Sequence, residues 1–320
     1  MSKHPIVSIV VPCLNRAQFL VPTIESIVQQ DYPNVECVVV DGGSTDGTMD
    51  ALKGYGDRIR WVSERDEGHA DAINKGWKMS KGQILAWLNA DDCYVVPDAV
   101  RRAVDFFKSH PETDVVYGDH ALISKDGKVI SDIIRHREWD LVHAVQYCDH
   151  IITQPACFMK RSVLEKVGWL DPEFRNCKDH ELWLRIGLVG MIRYAPILLA
   201  YERITPGLTQ QADVGTSIIS LTGKFFSQPE LPAPFRSTSF RRRARSNAYQ
   251  TAGDYAWRGG HRKLFFEYLR KAVATDPLNG PYIAAKALRT ILAISLPVGL
   301  KRALMRLMGI TRRPDPRLNP

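Results

Sequence analysis

Acidic and amide side chains follow four short apolar runs of the sequence, at the point where each run ends. They are Asn15 after the first run, Asp41 after the second, Asp66 and Asp71 after the third, and Asn89 and Asp91 after the fourth. Gly68 and Ala90 stand among them. In open parallel sheets, ligands bind beyond the carboxyl ends of the strands. If the runs are strands, these groups meet in one crevice, where oxygen ligands suit a hard divalent cation and the phosphates it holds.

Each of these acidic residues could instead have a purely structural role. An Asp in such a loop commonly caps a turn or a helix, and Asp46 and Asp92 fit that role best. The convergence of four strand ends favours a binding site over a set of unrelated caps. Other nucleotide and metal motifs are absent: the sequence has no GxxxxGK[ST], no GxGxxG after the first run, no HExxH and no GxSxG.

The runs themselves predict the elements that would position these groups. Strands are expected at 6–11, 35–40, 59–62, 84–88 and 115–117, and helices at 17–30, 69–80 and 97–108. Strand and helix alternate with short loops, which predicts an α/β, Rossmann-like fold with a mainly parallel central sheet flanked by helices. Further along, Asp126-Gly127 predicts a hairpin turn, residues 161–168 and 179–189 predict helices, and residues 205–217 predict a mobile polar loop.

Charge divides the 320-residue chain in two. Residues 236–320 carry 18 Lys and Arg against 4 Asp and Glu, whereas residues 1–235 carry 25 against 31. We therefore expect a catalytic domain over 1–235 and a basic α-helical region over 236–320.

The sequence contains six cysteines and no CxxC pair. This pattern predicts reduced thiols in a cytoplasmic protein.

The basic region predicts helices at 240–258, 261–275, 282–296 and 299–308. The last two combine an apolar stripe with Lys and Arg, which is typical of helices that lie on an anionic membrane surface. This pattern predicts peripheral attachment to the inner face of the membrane; the alternative is that these helices pack on the catalytic domain. Arg241, Arg242 and Arg243 are expected to form a solvated or lipid-facing run, and no recognised nucleic-acid-binding motif is visible.

Five motifs in order over residues 5–205 resemble the family 2 inverting glycosyltransferases with the GT-A fold. They are VSIVVPCLNR from Val7, DGGSTDGT from Asp41, DEGHADAINKG from Asp66, LNADD from Leu88, and DHELWLR from Asp179. Between the last two, Gln154-Pro155, Phe158, Arg161 and Gly168–Asp171 resemble the acceptor-side segment of the family.

The resemblance implies roles for individual residues. Asp41 would contact the base of a nucleotide, taken to be uracil, and Pro12, Leu14 and Asn15 would line the same pocket. The remaining nucleotide-sugar contacts would come from Asp66, Gly68, Asp71, Asn74, Asn89 and Ala90. Asp91 would bind Mn²⁺ or Mg²⁺, and Asp179 would be the catalytic base, unless it serves only as the N-cap of its helix. The sequence departs from the family pattern at Asn89, where an Asp is usual, and at Lys178, where an acidic residue is usual.

The implied function is transfer of a sugar from a nucleotide-diphosphate donor, which the resemblance implies to be UDP-linked, to a hydroxyl group of a glycan or lipid-linked acceptor. Cell-surface polysaccharide or lipopolysaccharide synthesis would be a setting for that reaction. Three alternatives remain open: an NAD-dependent oxidoreductase on a doubly wound sheet, a non-catalytic basic binding module, and an inactive member of the same family.

Overall fold

The computed structural model of the protein describes residues 4–204 and 211–295. Its strands are β1 Val7–Cys13, β2 Val35–Asp41, β3 Arg60–Ser63, β4 Ile84–Trp87, β5 Cys93–Tyr94, β6 Val115–Ile123, β7 Cys157–Lys160 and β8 Ile192–Arg203. Its helices are α1 Ala17–Val28, α2 Thr48–Gly54, α3 His69–Met79, α4 Ala99–Ser109, α5 Leu141–Tyr147, α6 Arg161–Val167, α7 Lys178–Gly187, α8 Gln211–Ser227, α9 Ala233–Arg236, α10 Thr238–Arg258, α11 Arg262–Thr275 and α12 Gly280–Ser295.

The strands form one sheet in the order β3-β2-β1-β4-β7-β6-β8-β5. Strands β1 to β4 pair in parallel, so their carboxyl ends share one edge. β7 pairs antiparallel with both β4 and β6, while β8 runs parallel to β6. The expected GT-A type α/β architecture, with a C-terminal helical extension, is confirmed.

The dense β-branched runs are buried on both faces of the sheet. On one face, Ile9 of β1 packs in a cluster with Leu20 and Ile24 of α1. On the other, Val10 packs with Trp77 of α3. A β-carbon on Gly76 would lie 2.4 Å from a methyl group of Val10, so a glycine is needed for α3 to approach β1 this closely.

The early strands and helices were predicted to within three residues at most ends, but β5, β7 and β8 were not predicted. The hairpin at Asp126-Gly127 is present: Gly127 has φ 79°, and Ile130 N donates to Leu122 O at 2.9 Å. All six cysteines are free thiols.

Contacts between residues divide the chain into two units, Met1–Leu141 with His150–Thr205, and Val142–Asp149 with Pro206–Pro320. This division of contacts falls earlier than residue 235. The functional assignment of 1–235 and 236–320 stays a prediction.

In the second unit, α10 and α11 form a helical hairpin, which the sequence predicts over residues 244–276. Side-chain hydrogen bonds hold its parts together. Ser246 Oγ donates to Ala272 O at 2.8 Å, and Asn279 Nδ2 donates to Asn247 Oδ1 at 2.8 Å. Asp276 accepts from Arg243 Nε at 2.5 Å and lies 3.3 Å from Arg242 Nε.

Two expectations for this unit are wrong. Arg242 and Arg243 are paired with Asp276, and Arg241 Nε donates to Phe235 O, so these arginines are not a merely solvated run. The predicted loop at 205–217 overlaps α8, which begins at Gln211, because Val214 and Ile218 pack against Ala248. The predicted helix at 299–308 lies outside the described residues. Over the ranges that the structure describes, no helix is both long and apolar enough to cross a membrane.

Candidate active site

The loops after β1 and β2 are joined by the Asn15 side chain. Asn15 follows the last residues of β1 with φ 52°, a conformation that asparagine tolerates better than most residues. Its Oδ1 accepts from Thr45 N at 2.9 Å, and its own N–H donates to Ser44 Oγ at 2.7 Å. Pro12 is buried in β1 opposite Val40. Leu14, the first residue after β1, is 51 % exposed.

The Asp41 carboxylate is buried and fully engaged by its own loop and by β3. Oδ2 accepts from Gly43 N at 3.1 Å, Ser44 N at 3.0 Å and Ser63 Oγ at 2.6 Å, and Ser44 Oγ also donates to Oδ1. Side-chain exposure is zero. In this arrangement Asp41 shapes the loop, and its direct contact to a nucleotide base stays a prediction.

Asp46 caps two helices. Its Oδ2 accepts from Ala17 N, the first residue of α1, at 3.0 Å, and its Oδ1 accepts from Thr48 N, the first residue of α2, at 3.0 Å. The hydrogen bond from the Thr48 hydroxyl to Oδ1 is the main cause that lowers the pKa of Asp46. This geometry is that of a structural cap, as the sequence favoured.

The loop between β3 and α3 brings Asp66 against the β2 loop. Asp66 Oδ1 accepts from Gly68 N at 2.9 Å, and a β-carbon on Gly42 would lie 2.6 Å from Asp66 Oδ2. Gly68 has φ 120° and ψ 177° just before α3, a region open essentially to glycine alone. Asp71 Oδ2 accepts from Glu67 N at 3.2 Å. These groups fix the start of α3 beside the crevice.

Asn74 reaches a segment far away in the sequence. Its Nδ2 donates to Leu170 O at 2.8 Å, and its Oδ1 accepts from Leu170 N at 3.0 Å. The amide thus binds both backbone groups of Leu170, within the Gly168–Asp171 segment. Arg185 of α7 supports the same segment by donating to the carbonyl oxygens of Val167, Gly168 and Trp169 at 2.7–2.9 Å. The predicted acceptor-side segment is therefore held in place from two helices.

The turn after β4 holds Asn89 between two partners. Asn89 Nδ2 donates to Asp92 Oδ2 at 2.9 Å, and its Oδ1 lies 3.1 Å from His69 Nε2. Asp92 is 2 % exposed and accepts from Arg203 N at 2.9 Å. Burial, reinforced by the charges of Asp91 and Glu202, raises the pKa of Asp92 well above its usual value. Asp92 is therefore a structural part of the turn.

The backbone of this turn is anchored from α1 and β8. Thr23 Oγ1 donates to Ala90 O at 3.0 Å and to Asp92 O at 2.7 Å. Arg203 Nε donates to Asp91 O at 2.7 Å. Ala90 is buried, and Asp91 is 9 % exposed. The anchoring fixes the direction in which the Asp91 carboxylate leaves the turn.

A divalent cation fits this site only if its ligands are shared with a bound molecule. Within 4–204 and 211–295, no three His, Cys, Asp or Glu side chains gather as a ready-made metal site. Asp91 is the carboxylate of this turn that the family resemblance assigns to the metal, and Asn89 and Asp92 hydrogen-bond to each other. Mg²⁺ and similar ions are commonly held by one or two carboxylates together with substrate phosphates, so the residues present are compatible with a metal–diphosphate complex.

The first turn of α7 carries Asp179 to the end of β4. Trp183, one helical turn later on the same face, stacks on Trp87 at the end of β4 with ring centroids 6.1 Å apart. The sequence predicts a core position for Trp183, and the residue is 2 % exposed. Asp179 is half-buried. Within the described residues, no hydrogen bond or ion pair engages its carboxylate.

His180 differs from expectation. The sequence predicts a surface position for this histidine, but His180 is 3 % exposed and stacks on His150 with ring centroids 3.7 Å apart. Burial, followed by the effect of His150, lowers the pKa of His180 well below its usual value. His180 is thus neutral at physiological pH, and its ring packs on His150.

Several residues that build this site gave no local signal in the sequence. Arg203 binds the Asp91 carbonyl across 112 positions of the chain, and Arg185 binds three carbonyls that lie 16–18 positions earlier.

Two of the predicted acceptor-side residues make contacts within the fold. Gln154 Nε2 donates to Trp87 O at 2.5 Å. Arg161 Nε donates to Gly82 O at 2.6 Å, which is a structural contact.

Comparison with known proteins gives one matching family model, described as glycosyl transferase family 2, over residues 8–168. An uncharacterized glycosyltransferase of Rickettsia bellii is 28% identical over 207 residues, covering 62% of this chain and 30% of that protein. The chain thus matches about a third of the length of that relative.

Two solved structures share the fold. The S. aureus TarS 1-349 structure in complex with UDP-GlcNAc has a TM-score of 0.62 at 14% identity, covering 96% of this chain and 93% of that one. The mannosyltransferase PcManGT from Pyrobaculum calidifontis, in complex with GDP-Man and Mn²⁺, has a TM-score of 0.58 at 18% identity, covering 91% and 88%. At these identities the likeness concerns the fold alone.

Proposed function

The chain belongs to glycosyl transferase family 2, and from that membership we propose that it transfers a sugar from a nucleotide-diphosphate donor to a hydroxyl group of an acceptor, with inversion at the anomeric carbon. The observation that carries the proposal is the position of Asp179. Its carboxylate has no hydrogen bond among the described residues, and its helix packs through Trp183 on the strand that Asn89 and Asp91 follow. Family membership does not favour the oxidoreductase or the non-catalytic binding module.

The donor would bind over the carboxyl ends of β1, β2 and β4. The loop that Asn15 and Asp41 shape would hold the nucleoside, with Pro12 and Leu14 on the same side. The turn at Asn89 and Ala90 would face the ribose and phosphates. A UDP-sugar is the first donor to test, because structures of similar fold carry UDP-GlcNAc and GDP-Man.

Asp179 would act as general base. A carboxylate that no described residue binds is available to accept the proton of the acceptor hydroxyl as the hydroxyl oxygen attacks the sugar carbon. The anion also lies in the first turn of α7, where the helix dipole favours negative charge. Attack from the face opposite the leaving diphosphate inverts the anomeric centre in a single displacement, so no nucleophilic residue of the protein is required.

The departing diphosphate carries the negative charge that must be stabilised. A divalent cation, when bound at Asp91 with the diphosphate, supplies Lewis-acid stabilisation of that charge. The protein's own part is to fix Asp91 through the contacts of Thr23 and Arg203 with its turn, so that the carboxylate is positioned before the donor arrives.

We also propose that exposed side chains of the second unit contact an anionic membrane. Among the described residues, five of the twelve exposed large apolar side chains lie within positions 266–288: Phe266, Val273, Leu278, Tyr282 and Leu288. Three basic side chains of α11 and α12 are also exposed, namely Lys263, Arg270 and Arg289. Apolar side chains rimmed by Lys and Arg bind anionic lipid interfaces. Peripheral attachment there would suit a lipid-linked or envelope-glycan acceptor.

The direct test of the reaction is release of nucleoside diphosphate. Purified full-length protein is incubated with UDP-GlcNAc or GDP-Man and MnCl₂, with bacterial lipid and polysaccharide fractions as acceptors. We expect release that depends on an acceptor fraction, and product with the anomeric configuration opposite to that of the donor. Release of product with retained configuration would contradict the single-displacement mechanism.

A further inference from the structure

Lys178 stands one residue before Asp179, in the first turn of α7, at the end of β4. The stacking of Trp183 on Trp87 brings this turn to the strand end, and Gln154 Nε2 adds a hydrogen bond to Trp87 O. The Lys178 side chain is half-buried. Its Nζ donates to Arg175 O at 2.9 Å, which uses one of the three N–H groups of an ammonium.

The neighbouring Asp179 does not take up the other two donors. Within the described residues, no ion pair shorter than 4.0 Å joins the two side chains. An ammonium with two remaining donors in a partly desolvated place is a binding group for an anion, because charged hydrogen bonds strengthen where water is excluded.

The positive charge of Lys178 affects His69, the first residue of α3, which lies beside the proposed donor crevice. His69 is exposed, and its Nε2 lies 3.1 Å from Asn89 Oδ1. Desolvation by neighbouring protein atoms, followed by the charge of the Lys178 ammonium, lowers the pKa of His69. His69 and Asn89 lie at the turn after β4, and Lys178 lies in the first turn of the helix that packs on the end of the same strand. All three residues are therefore near the region where the diphosphate of the donor would lie.

Two differences from the family pattern meet at this point. Position 89 is a neutral Asn instead of an Asp, and position 178 is a cation instead of an acid. The turn thus offers one fewer carboxylate to a metal ion, while the facing helix offers one more positive charge. Both changes act in the same direction, since each makes the crevice more favourable to an anion in its own right.

We propose that Lys178 binds the diphosphate of the nucleotide donor directly and supplies part of the charge neutralisation that a metal ion would otherwise supply alone. The inference rests on the proposed function. It assigns Lys178 to the donor and not to an anionic group of the acceptor, and it predicts donor binding that survives in part when the metal is removed.

The test is calorimetric titration of the full-length protein with UDP and GDP, in MnCl₂ and separately in EDTA, with uridine and guanosine as probes that lack phosphate. Lys178→Met is compared with Lys178→Arg. Lys160→Met is the matched control, because Lys160 is also half-buried and donates one hydrogen bond to a carbonyl, Pro111 O at 2.6 Å. Lys160 pairs with Ile84 at the start of β4, the end away from the crevice.

We expect Lys178→Met to weaken binding of the diphosphate roughly 10- to 100-fold, the worth of a charged hydrogen bond, and to do so more in EDTA than in MnCl₂. Nucleoside binding should not change, Lys178→Arg should restore most of the loss, and Lys160→Met should behave as wild type. Unchanged UDP and GDP affinity in Lys178→Met overturns the inference alone. A loss that the nucleosides share, or that Lys178→Arg does not restore, also overturns it. If the wild-type protein binds neither diphosphate, the proposed function fails, and this inference fails with it.

Discussion

Asn89 donates a 2.9 Å hydrogen bond from its amide nitrogen to the buried carboxylate of Asp92. An Asp at position 89 could not donate this bond. It would also bring a second carboxylate against one whose pKa burial already raises. The amide at position 89 is therefore matched to the environment of Asp92, and the departure from the family pattern at this position has a structural cause.

This match predicts that Asn89→Asp destabilises the protein. We expect a loss of roughly 1–3 kcal/mol in the free energy of unfolding, the cost of leaving a buried polar group without its partner. The folded variant should take up protons more readily than the unfolded chain, so its deficit relative to wild type should shrink as the pH falls from 8 to 6. Urea denaturation at both pH values measures this; a deficit independent of pH would argue against carboxylate repulsion.

Asp179→Asn keeps the shape of the side chain but removes its capacity to accept a proton. We expect nucleotide release to fall roughly 10²–10⁴-fold, with affinity for the nucleoside diphosphate nearly unchanged. Steady-state rates and calorimetric titration of the same preparation separate the two effects. Equal losses in rate and affinity, together with a lower melting temperature, would instead identify Asp179 as a helix cap.

Asp41 and Asp46 should differ in what their removal affects. Asp41→Ala releases the loop that Gly43, Ser44 and Ser63 hold to the carboxylate, so UDP affinity should fall more than in Asp46→Ala. Asp46→Ala should mainly lower stability, by about 1 kcal/mol for a lost helix cap. Because hydrogen bonding lowers the folded-state pKa of Asp46, its stabilisation is present at neutral pH and is lost as the pH falls through that value. Titration and thermal melts of both variants decide the order.

The proposed membrane surface predicts binding to vesicles that contain anionic lipid. Full-length protein should float with phosphatidylglycerol vesicles at low salt, and high salt should weaken the association. The variant Phe266→Ser/Leu278→Ser/Leu288→Ser should lose it. The matched control is Val129→Ser/Ile130→Ser/Ile133→Ser, which removes three exposed apolar side chains of the first unit. Equal flotation of both variants would show that 266–288 is not the lipid contact, and binding of nucleic acid in place of vesicles would favour an RNA or DNA partner.

The sequence predicted the parts of the fold that rest on local patterns. Dense β-branched runs such as the one around Ile9 identified the buried strands, and helical spacing such as Leu20 and Ile24 identified α1. β5 has only two residues, too few for a pattern. α8 was missed because its first residues are polar, and the packing of Val214 and Ile218 against α10 decides its conformation.

The candidate site was predictable in its residue types but not in its contacts. The position of Asp41 at a strand end was evident, yet its complete burial depends on Ser63, which lies 22 positions away. The pairing of Asn74 with Leu170 spans 96 positions, and that of Arg203 with Asp91 spans 112. Such pairs depend on strand order and helix packing, which a local pattern does not encode.

The central claim is that the crevice beyond β1, β2 and β4 binds a nucleotide-diphosphate donor with a metal ion held at Asp91. Calorimetric titration of wild type and Asp91→Asn with UDP and GDP, with and without MnCl₂, tests it most directly, with NAD as the comparison ligand. We predict that wild type binds at least one of the two diphosphates, more tightly with Mn²⁺, that Asp91→Asn loses most of the Mn²⁺-dependent gain, and that NAD does not bind. Binding of NAD alone, or an unchanged Mn²⁺-dependent gain in Asp91→Asn, would contradict the account.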